Sequence, residues 1–178
     1  MRATGIVRRV DDLGRVVIPK EIRRNMRIKE GDPLEIYTDN EGCVIFKKYS
    51  ALKDLSDIAQ KFINTISDTI TAPMLICDKD CCIATIGHTK KIVIDRPITS
   101  EIEDMIEERK IYRHGENMPE FSPLYDYQCF TLAVFPINVN GDCIGAVVLT
   151  SENTAEINHL DFSLGKITAK YLGSQLED

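Results

Sequence analysis

A chain of 178 residues, 43% hydrophobic and 28% charged, has the make-up of a soluble globular protein with room for one domain or two small ones. No run of 18 apolar residues offers a membrane span and no apolar stretch near the N-terminus offers a secretion signal, so a cytoplasmic protein with no membrane partner is expected. The net charge of −6 averages two unlike parts: residues 1–48 hold eleven Lys/Arg against eight Asp/Glu, whereas residues 49–178 hold eleven against twenty. A basic head on an acidic body points to an anionic partner for the head alone.

The head reads as one short module written twice. Asp11-Asp12-Leu13-Gly14-Arg15-Val16-Val17-Ile18 returns as Asp39-Asn40-Glu41-Gly42-Cys43-Val44-Ile45-Phe46. Each copy is an acidic-polar turn with a Gly, preceded by a strand (Ile6 to Val10, Leu34 to Thr38) and followed by an apolar run, which predicts two β-hairpins. Isolated hairpins are marginal in water and under about 50 residues bury too little to fold alone, so a second copy of the chain is expected to complete the unit. Between the hairpins, Pro19 opens a short helix. In it Ile22 and Met26 are expected on a buried face, and Lys20, Arg23, Arg24 and Arg27 on a basic stripe. Arg8 and Arg9 lie on the first strand, on opposite faces, and Arg15 just after the first turn.

A helix is predicted from the N-cap Ser50 through Leu52, Leu55, Ile58, Ala59, Phe62, Ile63, Ile66 and Ile70, stopped by Pro73. Short strands follow at 74–77 and 81–86, then a helix at 99–110 with Ile102, Met105 and Ile106 on one face, and a loop at 112–128. Cys129 to Val139 and Cys143 to Thr150 form a hairpin about Asn140-Gly141, a pair suited to positive φ. The last helix runs from about Thr154 to Gln175, with Ile157, Leu160, Leu164, Ile167 and Leu172 on its core-facing stripe. The order predicts an antiparallel sheet with packed helices and an α+β protein overall.

Clustered arginines suit phosphates and guanine edges, because the guanidinium is a permanently charged planar donor fork. The segment from Ala3 to Arg24, with Gly31-Asp32-Pro33-Leu34-Glu35-Ile36 and Lys47-Lys48-Tyr49, resembles the N-terminal swapped-hairpin domain of the AbrB family of transition-state regulators. That resemblance implies two interleaved chains binding double-stranded DNA. It maps the family's DNA-contacting arginines onto Arg8, Arg15, Arg23 and Arg24, and leaves Arg9, Lys20 and Arg27 as phosphate contacts at most. It also implies readout of DNA shape and deformability more than of a fixed base string, at sites that are often A/T-rich. In length and layout the whole chain is similar to the family's sporulation regulators. Those act as activators and repressors of late, forespore-specific genes and bind the nucleoid.

The division expected is a DNA-binding domain at 1–50 and a sensor or oligomerisation domain at 51–178, with 51–71 as connecting helix. The second resembles a GAF domain by its element order and by Asn140-Gly141-Asp142-Cys143-Ile144-Gly145-Ala146-Val147-Val148. GAF domains often hold a small molecule over the sheet, here behind a wall formed by 87–128. No motif names a ligand, and a scaffold without one is the equal alternative. Two association surfaces per chain imply a homotetramer.

No catalytic constellation is evident, and no cofactor or metal is expected. The six cysteines, 43, 77, 81, 82, 129 and 143, include no Cys-x-x-Cys pair and are read as reduced thiols. His88, His114 and His159 are scattered and read as ordinary residues. The acidic run at Glu101, Glu103, Asp104, Glu107 and Glu108 reads as a solvated helix face. A transcription regulator is the leading reading. One alternative is an antitoxin, since the same head class occurs in antitoxins that bind a toxin through a C-terminal tail. The other is a ligand-regulated enzyme whose head only dimerises.

Overall fold

The computed structural model describes residues 4–115, 118–153 and 157–177. The chain divides into two compact units, Met1–Tyr49 and Ser50–Asp178.

In the first unit, one hairpin is fully formed. β1 (Leu34–Thr38) pairs antiparallel with β2 (Val44–Lys48), from Leu34 opposite Lys48 to Thr38 opposite Val44. The other expected hairpin has its turn but no ladder within the chain. The Asp11 N–H donates to the Arg15 carbonyl at 3.0 Å and the Gly14 N–H to the Asp11 carbonyl at 3.1 Å, while the flanking residues form no strand among the described residues. One closing bond cannot hold two five-residue arms without a surface beneath them. Between the hairpins lies α1 (Lys20–Asn25). Its expected buried face is incomplete: Ile22 is half-buried, but Met26 is 60% exposed. Among the described residues of this unit only Pro19 is buried. Val7, Leu13, Val17 and Ile36 are all exposed.

The second unit has a five-stranded, wholly antiparallel sheet in the order β4-β3-β7-β6-β5, with helices packed on it as the element order predicts. The strands are β3 (Met74–Asp78), β4 (Cys82–Ile86), β5 (Tyr112–Arg113), β6 (Phe130–Val139) and β7 (Asp142–Ser151). Alternation along β3 sends Met74 and Ile76 to one face and Leu75 and Cys77 to the other. The first face packs on Leu52 of α2 (Ala51–Asp54), Ile63 of α3 (Ser56–Thr65) and Leu172 of α6 (His159–Ser174). The second packs on Val93 of α4 (Lys90–Val93) and on Ile102 and Ile106 of α5 (Ser100–Glu107). The β6–β7 hairpin turns at Asn140 and Gly141, both at positive φ, as the sequence predicts. No described helix is long and apolar enough to cross a membrane.

Four details differ from expectation. The helix predicted over 50–70 breaks at Leu55 and ends at Thr65. Ser67, Asp68 and Thr69 are poor helix formers, and the Ser67 hydroxyl donates to the Asn64 carbonyl instead of leaving it to the helix ladder. Within 112–128, Tyr112 and Arg113 form an edge strand against Val134 and Ala133. The final helix starts at His159, under an Asn158 cap whose side chain accepts from the Asp161 N–H; residues 154–156 of the expected helix lie outside the described residues. Its apolar stripe also faces outward in part: Leu160 and Ile167 are each more than half exposed. The inner face is Gly165, Thr168, Ala169, Leu172 and Gly173. A Cβ on Gly165 would sit 2.5 Å from the Phe135 ring, and one on Gly173 2.5 Å from the Asn138 carbonyl oxygen. At these two positions the helix lies too close to the sheet for any side chain, so only glycine fits the contact there.

Candidate nucleic-acid interface

The site is built on the first turn of the head. One Asp11 oxygen, Oδ1, accepts from the Leu13 N–H at 3.0 Å and the Arg15 N–H at 2.8 Å. The other, Oδ2, accepts from Arg15 Nε at 2.8 Å. The Arg15 backbone N–H and then its guanidinium hold the Asp11 carboxyl below the ordinary carboxylate value. Gly14, at φ +75°, supplies the left-handed residue that the turn requires. The Arg15 side chain is 68% exposed, and its two terminal nitrogens make no bond among the described residues.

The other arginines named from the sequence are exposed as well. Arg8 Nη1 donates to the Val7 carbonyl at 3.1 Å, and Arg23 Nε to the Ile18 carbonyl at 3.2 Å. Each is thereby steadied at one end and open at the other. Arg9, Lys20 and Arg24 are exposed, and their side chains make no hydrogen bond or ion pair among the described residues. Arg27 departs from the expected stripe. It lies past the end of α1 at φ +51°, with the Ile28 N–H donating to the Arg23 carbonyl at 2.8 Å and its own N–H to the Arg24 carbonyl at 3.3 Å. That is a Schellman end, so the helical stripe is Lys20, Arg23 and Arg24. The residue missed from the sequence is Asp11; its signal was the Asp-x-x-Gly spacing repeated at Asp39.

The body offers less. A cavity of about 160 Å³ lies among Thr71, Pro73, Leu132, Ser151, Asn158 and Asp161. This is small beside the several hundred Å³ typical of ligand sites, and it is not walled by residues 87–128. The carboxylate in its wall is occupied: Asp161 accepts from Thr71 N, Thr71 Oγ1, Ala72 N and Asn158 Nδ2 at 2.6–3.0 Å. His88 is a brace more than an ordinary turn residue, with Nδ1 2.8 Å from the Tyr127 hydroxyl and Nε2 2.7 Å from Thr150 Oγ1. Thr150 Oγ1 also lies 3.3 Å from the Pro73 carbonyl oxygen, which ties the brace to the start of β3. Burial holds the imidazole below its ordinary pKa. All six cysteines are free thiols, with burial pushing Cys81 up to about 12 and Cys129 to about 11. Protonated thiols are poor nucleophiles and ligands. No group of three His, Cys, Asp or Glu that could hold a metal ion occurs among the described residues.

Known proteins resemble both parts of the chain. Residues 7–53 match the family described as antidote-toxin recognition MazE, bacterial antitoxin. The transition state regulatory protein AbrB of Bacillus subtilis is 63% identical over 49 residues, 28% of this chain and 50% of that protein. The body is similar in fold alone to a type II free methionine-R-sulfoxide reductase from Thermoplasma acidophilum: 13% identity, 70% of this chain, 94% of that one, TM-score 0.52. The stage V sporulation protein T of Bacillus subtilis is 41% identical over 178 residues, 99% of each chain. Residues 54–177 match the family described as stage V sporulation protein T C-terminal, transcription factor. With the body matched almost end to end and the relative aligned over its whole length, the chain belongs to the stage V sporulation protein T family of transcription factors.

Proposed function

We propose that this chain is a homo-oligomeric, non-enzymatic transcription regulator of sporulation genes, working at the nucleoid in the cytoplasm of the forespore. Its head, residues 1–50, interleaves with that of a second copy and grips double-stranded DNA through Arg8, Arg15, Arg23 and Arg24. Arg9, Lys20 and Arg27 add phosphate contacts. The observation that carries this reading is the exposure of both the arginines and the apolar residues around them, such as Val7, Val17 and Ile36. Apolar side chains left in water on a small unit call for a protein surface to cover them. A two-fold pairing would cover them and double the positive charge facing a duplex. Residues 51–178 assemble the dimers into a tetramer and provide the place where a signal acts.

The test is a gel shift with Arg15→Ala and Arg24→Ala. Each is expected to weaken binding at least tenfold while leaving the melting temperature within a degree or two; unchanged binding by both would overturn the assignment. The match of residues 7–53 to an antitoxin family favours a second reading, a toxin-binding head. Against it stands the packed body, where such antitoxins carry a short tail. Loss of DNA binding in the arginine variants with no toxin captured separates the two.

A further inference from the structure

The head carries the same turn twice, and the copies differ in one useful way. Asp11 and Asp39 each use Oδ1 to accept from the backbone N–H two and four residues on, at 3.0 and 2.8 Å in both turns. Gly14 and Gly42 close them at φ +75° and +84°. The turn therefore forms whatever side chain stands in its fifth position: Arg15 in one copy, Cys43 in the other. In the first copy the second carboxylate oxygen gains a bond, from Arg15 Nε.

An ordinary exposed ion pair contributes little, because two mobile side chains must be immobilised. Here the carboxylate is already fixed by two backbone donors, so only the arginine has freedom left to lose. Binding Nε occupies one side of the guanidinium and leaves Nη1 and Nη2 as an end-on pair of donors. That pair matches the N7 and O6 acceptors of a guanine edge. The charge of Asp11 adds a second effect. A carboxylate beside the duplex is repelled by every phosphate regardless of sequence, while the aim it gives Arg15 is rewarded only where the matching base edge is present.

We propose that Asp11 is a positioning residue that aims Arg15 at a guanine edge of duplex DNA and so sets discrimination between sites. This rests on the reading of the head as a DNA-binding unit. The test uses the full chain and two probes: a duplex selected from a random pool by the wild-type protein, and a mixed-sequence duplex of equal length. Asp11→Asn keeps an oxygen for the backbone donors but loses the charge facing Nε. The ratio of the two affinities is expected to fall about tenfold, within the range one good base contact supplies. Binding to the mixed-sequence duplex should hold or rise. Asp11→Ser, whose hydroxyl still accepts from the Leu13 N–H, should lose the same discrimination, and Asp39→Asn should lose none. In an Arg15→Ala background, Asp11→Asn should change the ratio less than twofold, since a residue that acts through another has nothing left to act on.

An equal drop on both duplexes, or the same drop in ratio with and without Arg15, would overturn the positioning role and leave the DNA-binding head standing. Unchanged binding of the selected duplex by Arg15→Ala would overturn the reading of Arg15 itself, and the positioning role with it.

Discussion

The two units solve the problem of apolar side chains in opposite ways. The body covers both faces of its sheet with its own helices, burying Phe135, Ile63 and Leu149 on one side and Ile98, Ile102 and Leu124 on the other. The head buries only Pro19 among its described residues and leaves Val7, Leu13, Val17 and Ile36 in water. The difference teaches that a similar share of apolar residues can be packed away in one unit and left at the surface in another. Hydrophobic content alone does not separate them; what does is whether helices long enough to cap a sheet lie in the same unit.

The contrast can be broken most forcefully in the head. Val17→Asp or Ile36→Asp places a charge where a second copy is expected to sit. DNA affinity should fall at least a hundredfold in a gel shift, while the near-ultraviolet signal of the body stays intact. In the body, Phe135→Ala should cost about 3–5 kcal/mol of unfolding free energy in a urea titration, the usual result of emptying a packed site. DNA affinity should fall far less than for the head variants. Gly14→Ala and Gly42→Ala each force a Cβ into the left-handed region and should cost about 1 kcal/mol. If only Gly14→Ala weakens DNA binding, the two turns share a geometry but not a task.

The smallest effect concerns His88. Burial holds its folded pKa below the ordinary value of 6.5, so the unfolded chain takes the proton first. The stability that the neutral ring contributes is complete above about pH 6.5. It declines as the pH falls below that value and levels off once the folded ring also protonates. His88→Gln should flatten that part of a pH–stability curve measured by thermal melts, and wild-type and variant curves that run parallel would remove His88 from the account.

Much of this was legible in the residues because local chemistry decides it. The Asp-x-x-Gly spacing at 11 and 39 announced two turns, and Asn140-Gly141 announced a third. Apolar runs beside turn residues placed strands at 74–77 and 143–150, each within a residue of the observed Met74–Asp78 and Asp142–Ser151. What could not be read depended on distance between elements. The inner face of α6 looks unpromising in sequence, since Gly165, Thr168 and Gly173 carry little apolar surface, and only the closeness of Phe135 and Asn138 explains them. Arg27 kept helical spacing with Arg23 and Arg24 although the chain had already turned left-handed. Arg15 stood out as a charge, yet the partner that steadies it was hidden by its second role as a turn-former.

The two glycines of α6 carry one more implication. At Gly165 and Gly173 the helix already has the smallest residues available, so every substitution there is an enlargement. Any enlargement lifts the rod away from the strands and carries Leu160 and Ile167 with it. The height of that outer ridge above the sheet is thus governed from underneath, by positions no visitor to the surface would ever touch.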